Sequence, residues 1–508
     1  MTAAAGRIGT SQGEASPGYR KYVLATLFAA YALNYLDRML IGVLNEPIRK
    51  SFGLGDFHMG LLGGPAFAFL FALLGLPIAR LSESYDRRAI IALSIGIWSV
   101  MTALCGLAGQ MDPVLHVTLF ALVLCPLAAM FWRAGMWASL VLVLVAAGAS
   151  IALLPWLNSY GLLAFGLLLM TRVGVGIGEA GCAPPATSII ADYYPASRRA
   201  TAMSVFSLGI PVGGLLAAIL GGLLAQHYGW RTAFLALGLP GILLGLTIFF
   251  TVREPARSVQ ETAPSLLDVV ALLFRSRTFR HAVAASALAA FASYGSAQFG
   301  FAFLSRVHGL SLSEGAVLFV LTGAVMGAVG IFLGGFLSDR LSGRFPGAAL
   351  FVPGIGLVAA TPLLVGAYLA PTQLMLVVML ASASVAQNMY IGPVMSTVQG
   401  LVKPRMRATA IAIFALINIL VGAGLGPPLV GFLSDLLSQR AFGPDYAATC
   451  VAAKTASSAC EAAMGTGLRT ALCIVSGCFA WAGFHLFVAS RSMARESREQ
   501  PAKIVPAT

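Results

Sequence analysis

The chain has 508 residues, of which 58% are hydrophobic and only 10% charged, with a mean hydropathy of +0.86. Repeated apolar stretches of about 20 residues exceed what a soluble core produces, so the fold class is expected to be all-α and polytopic in a membrane. The net charge of +13 does not indicate a nucleic-acid partner: most of the Lys and Arg fall in loops on the side of the N-terminus, the positive-inside pattern.

Residues 1–20 are polar and small, without the apolar core of a signal peptide, and are expected to form a cytoplasmic tail. Apolar runs then predict spans at 21–43, 58–80, 88–108, 113–131, 136–155, 160–182, 201–226 and 231–251. A basic amphipathic connector at 252–279 follows, expected on the cytoplasmic side. Spans resume at 280–304, 314–337, 348–370, 373–395, 408–433 and 468–490. The basic segment 491–508 is expected to be a disordered cytoplasmic tail. The arrangement predicts an integral protein of a bacterial inner membrane with about 14 spans.

The chain is an internal duplication. Arg199-Ala-Thr-Ala-Met-Ser-Val-Phe206 recurs as Arg407-Ala-Thr-Ala-Ile-Ala-Ile-Phe414, 208 positions later. A second echo pairs Glu83 with Asp339 at an offset of 256, so the first half holds 48 extra residues between its motifs. That length fits one added hairpin, assigned to 109–158 with spans at 113–131 and 136–155. Two six-helix halves, 21–251 and 280–490, account for the rest. The loop at 434–467 lies on the charge-poor, oxidising side, where Cys450 and Cys460 are expected to form a disulfide.

The turn after the second span carries Glu83, Arg87 and Arg88, and its counterpart carries Asp339 and Arg340. Acids at helix ends beside basic clusters, repeated at equivalent points, predict a gating latch that breaks as the halves rock. Ionisable groups inside spans cost several kcal/mol unless paired or hydrated, which makes them the sharpest functional clue. Asn34, Asp37 and Arg38 share one helical face, and Arg172, Gly176 and Glu179 share another. Asp37, Arg38, Arg172 and Glu179 are therefore the expected proton-coupling network, since a carboxylate near an arginine can alternate between neutral and paired states. A static structural pairing of Asp37 with Arg38 is the competing reading.

Between 280 and 490 the predicted spans hold charges only at their ends. Tyr294, Gln298, Gln387, Asn388, Tyr390 and Asn418, with Asn34 from the first half, are expected to line the substrate cavity. Gly209, Pro211 and Gly213 form a candidate hinge. This division of chemistry suits an anionic or amphipathic small molecule. No phosphate-binding loop of an ATP-driven pump is present, and the six histidines are scattered, so neither enzyme activity nor a cofactor or metal site is expected.

The repeated loop motif resembles the signature of the major facilitator superfamily, with Glu83, Ser84 and Asp86 departing from its usual residues. Arg172, Gly176, Gly178 and Ala180 match a second signature of that superfamily. Asn34-Tyr-Leu-Asp37-Arg38, Gly176-Ile-Gly-Glu179-Ala180-Gly181 and Pro404-Arg-Met-Arg-Ala-Thr409 resemble its Spinster-like family. The resemblance covers both halves and fails only over about 109–158. It implies the major facilitator fold, protonation of acids at Asp37 and Glu179 with Arg172 in the same network, and lysolipid-like substrates. The expected function is proton-coupled secondary transport by alternating access, small organic anions remaining open as substrates. An uncoupled facilitator of the same fold is the alternative, and a transport-inactive sensor or assembly subunit a further one.

Overall fold

The computed structural model describes residues 16–153, 160–255, 266–343, 347–403, 406–452 and 457–499, and all regular structure among them is helical. Helix α1 (Pro17–Val43) starts where Ser16 accepts the Tyr19 N–H and Pro17 occupies the first turn. A 50° bend leads to the short α2 (Asn45–Phe52), which ends at Gly53 in the left-handed region, φ 68°. Helices α3 (Asp56–Gly63) and α4 (Pro65–Ser84) return to the starting side, and α5 (Arg87–Leu107) begins at the Asp86 cap. The side holding the start of α1 is called the N side below, and the opposite one the far side.

The added hairpin is α6 (Pro113–Arg133) and α7 (Trp137–Leu153), turning at Gly135, φ 67°. The first half continues through α8 (Tyr160–Glu179), α9 (Ala183–Tyr193), α10 (Ala196–Ser207), α11 (Gly209–Leu216), α12 (Gly222–Tyr228), α13 (Trp230–Gly238) and α14 (Pro240–Thr251). The connector forms α15 (Leu266–Arg275). The second half comprises α16 (Arg277–His308), α17 (Leu312–Phe319), α18 (Met326–Ser342), α19 (Ala348–Tyr368), α20 (Gln373–Asn388), α21 (Ile391–Gly400), α22 (Arg407–Asn418), α23 (Gly424–Phe442) and α24 (Ser458–Glu499).

All fourteen predicted spans fall on helices. Twelve helices of the described residues are long and apolar enough to cross a membrane, and the bent pair α1 and α2 supplies another. Helix α7 is shorter, and residues 154 and 155 of its predicted span lie outside the described residues. The hairpin packs on α5 and α8 at the edge of the first half. Its other face exposes Val114, Leu122, Leu144 and Val145, which suits lipid contact. Trp132 and Trp137 stack edge to face across its turn, with centroids 4.4 Å apart.

Several helices outrun the apolar runs that announced them. Helix α23 continues to Phe442 and α24 begins at Ser458, so the expected loop at 434–467 shortens to 443–457. Helix α24 also runs to Glu499, where a disordered tail from 491 was expected. Residues 500–508, like the N-terminal 1–15, lie outside the described residues. The reason is physical: hydropathy ends where a helix leaves hydrocarbon, whereas backbone hydrogen bonding carries it further. Across the far-side loop, Cys450 and Cys460 are joined in a disulfide.

Candidate functional site

Small residues bring the charged helices together. A side chain at Gly176 of α8 would meet the Phe67 carbonyl of α4, and one at Gly178 would meet Trp98 of α5. With α8 seated this closely, Glu179 reaches Arg38 of α1: the guanidinium donates to Glu179 Oε2 at 2.9 Å and to Asn34 Oδ1 at 3.2 Å. The same guanidinium stacks against Tyr35, Phe67 and Phe71 at 4.5–4.8 Å. Asp37, one residue earlier, accepts from Thr102 of α5 and lies 3.8 Å from Arg172. Each acid is thus matched with the arginine of the other helix, and Asp37 does not pair with Arg38.

Asp37, Arg172 and Glu179 are at most 3% exposed. Buried ion pairs persist only with good geometry and satisfied partners. Here satisfaction is incomplete: Asp37 Oδ1, Glu179 Oε1, and Arg172 Nε and Nη1 make no hydrogen bond with a described residue. A proton added to either acid cancels a charge and leaves its arginine short of a partner, so the network has two electrostatic arrangements within reach.

Arg38 also borders a cavity between the halves. Phe67 and Phe71 line it from the first half, and Tyr294, Gln298 and Phe301 from the second. Asn34 sits behind Arg38. Asn388 donates to the Ser384 carbonyl, and Asn418 joins Ser286 to the Phe414 carbonyl, so both serve helix contacts. Gln387 and Tyr390, in and just after α20, are not among the cavity-lining residues either. The helices bordering the cavity carry π-helical turns at Ala217–Gly221 and Ile419–Ala423, and Ala218, Ile419 and Ala423 line it. Such turns often mark functional positions. In the hinge segment, Gly209 and Gly213 are buried, and a side chain at either would meet α1 at Tyr31 to Leu36.

On the N side, Arg87 binds Asp192 of α9, Glu254 and Ser188, all within the first half. Arg88 pairs with its neighbour Asp86 at the surface. The side chain of Glu83 lies outside the described residues. Asp339 and Arg340 are exposed and make no ion pair with a described residue.

A second charged cluster, which the sequence reading missed, closes the far side. Arg306 of α16 contacts Glu46 of α2 and Asp56 of α3 at 2.7–2.8 Å, while Arg49 braces Glu46. Ser434 of α23 donates to Asp56, and the Asp435 carboxylate accepts the N–H groups of Asp56 and Phe57, each at 2.9 Å. Four helices from both halves therefore meet there. Arg306 and Asp435 sit just beyond the predicted spans 280–304 and 408–433, where a charge looks like ordinary surface anchoring. The available signal was their opposite sign at span ends on the same side.

The family model described as Major Facilitator Superfamily matches residues 114–427. An MFS-type efflux pump of Mycolicibacterium smegmatis is 31% identical over 411 residues, covering 80% of this chain and 82% of its own. A crystal structure of a bacterial homologue of the human lysosomal transporter Spinster, inward-facing and unoccupied, is 32% identical, covers 95% of this chain and 99% of its own, and superposes with a TM-score of 0.75. The chain belongs to the major facilitator superfamily, among its Spinster-like transporters. Human protein spinster homolog 1 is 26% identical over 459 residues, covering 85% of this chain and 76% of its own. This Spinster-like chain is accordingly a transporter of a small molecule rather than an enzyme.

Proposed function

We propose that this transporter moves an anionic or amphipathic small molecule by alternating access, driven by protons taken up at Asp37 and Glu179. The observation that carries this reading is the crossed pairing at the cavity wall: Arg38 both lines the cavity and holds Glu179, whose second oxygen has no partner. An anionic headgroup entering beside Arg38 competes with Glu179 for the guanidinium, and a proton on Glu179 settles that competition in the headgroup's favour. The aromatic rings around Arg38 and the mostly apolar second-half wall suit the hydrocarbon part of a lysolipid-like or comparable substrate. The basic excess on the N side supports a bacterial inner-membrane orientation with both termini cytoplasmic.

Reconstitution in liposomes tests the reading. A pH gradient should accelerate substrate flux through the wild type, while Asp37→Asn and Glu179→Gln should lose that acceleration and keep exchange between identical solutions. A gradient without effect, with both variants transporting normally, would establish an uncoupled facilitator instead.

A further inference from the structure

Exposed arginines gather where the connector meets the second half on the N side. Arg275 ends α15, Arg277 and Arg280 start α16, and Arg491 and Arg495 lie on the last turns of α24. These elements are held side by side: Glu496 of α24 accepts from the Ser276 hydroxyl at 3.2 Å and the Thr278 N–H at 3.4 Å, and His281 meets His485 one turn deeper at 2.9 Å. None of the five arginines forms an ion pair with a described residue. Glu496 is occupied as the helix cap, and Asp268 is the one exposed acid on α15.

Helix α15 adds an apolar component. It seats Val269 and Leu273 against α16 and α22, and Phe274 touches the ring of Phe279. Its opposite stripe, Leu267, Ala271 and Phe274 at i, i+4 and i+7, points outward, with Leu267 76% exposed. A short helix with an exposed apolar stripe beside a cluster of arginines, one residue from a membrane span, matches the design of an interfacial anchor.

We propose that α15 lies in the N-side membrane interface and that Arg275, Arg277, Arg280, Arg491 and Arg495 form a binding site for the phosphate headgroups of anionic lipids. The site belongs to the second half, because α15 packs on α16 and α22. It is separate from the cavity and does not depend on the transport reading.

The test uses the full chain in nanodiscs of phosphatidylcholine alone or mixed with phosphatidylglycerol, read by thermal unfolding and by native mass spectrometry of retained lipid. Phosphatidylglycerol should raise the melting temperature of the wild type and remain bound, an effect that weakens with salt. The triple variant Arg275→Gln, Arg277→Gln, Arg280→Gln should lose both signals, and the corresponding Lys variant should keep them. Arg133→Gln with Arg198→Gln, exposed arginines of the first half, should change neither. The proposal is overturned if the Gln variant retains phosphatidylglycerol like the wild type, if the first-half variant loses it equally, or if inorganic phosphate alone reproduces the shift.

Discussion

Arg306 of α16 and Asp56 of α3, 250 positions apart, face each other through two hydrogen bonds of 2.7 Å, joining the two halves on the far side of the membrane. Glu46 shares the same guanidinium, so one cation bridges acids from two helices of the opposite half. Arg306→Gln leaves both acids buried without that cation, at a cost of about 3–5 kcal/mol to the far-side-closed state. A cysteine at the cavity-lining Met39 should then react faster with a membrane-impermeant maleimide applied from the far side. Unchanged labelling would show that the cluster does not hold the closure.

The same closure rests on backbone contact. A side chain at Gly60 of α3 would meet Pro427 and Pro428 of α23, and one at Gly431 would meet Asp56. Gly60→Val should therefore lower the melting temperature and raise far-side labelling, in the same direction as Arg306→Gln. Gly75→Ala, with open space around the added methyl, should instead be neutral or stabilise α4 by up to about 1 kcal/mol.

Arg87 and Arg88 read alike in sequence and differ in the fold. The Arg87 side chain is 3% exposed and bound by two acids, whereas Arg88 is about one-third exposed and pairs with one acid, Asp86. Arg87→Gln should destabilise the first half by about 3–5 kcal/mol, and Arg88→Gln by about 0–1 kcal/mol. Thermal unfolding of the two purified variants measures the difference, and equal shifts would contradict the ranking.

His116, in the added hairpin, is fully buried with neither ring nitrogen hydrogen-bonded to a described residue. Burying a polar group without a partner is costly, so His116→Leu should raise stability by about 1–3 kcal/mol. Transport rates should stay at the wild-type level. A loss of transport with unchanged melting temperature would instead give this histidine a functional role.

Much of the site is legible in the sequence. Asp37, Arg38, Arg172 and Glu179 stood out because charge inside an apolar run is conspicuous, and helical spacing put each pair on one face. The partner exchange was not legible. Whether Arg38 meets Asp37 or Glu179 depends on how α1 and α8 are turned toward each other in the bundle. The neutral candidates fared unevenly for a related reason: Tyr294 and Gln298 line the cavity, whereas Asn388 and Asn418 bond within their own bundle. An amide in a helix has the same sequence signature in either role.

From the sequence alone came the membrane class, the duplication, the added hairpin and the location of charge within the first half. These follow from hydropathy and period, which are one-dimensional properties of the chain. Only the tertiary structure decided which side is closed, since Glu46 and Asp56 stand 250 or more positions from their partners Arg306 and Asp435 in the other half. A closed gate is a relation between two bodies, and its energy lies in pairings that no single segment contains.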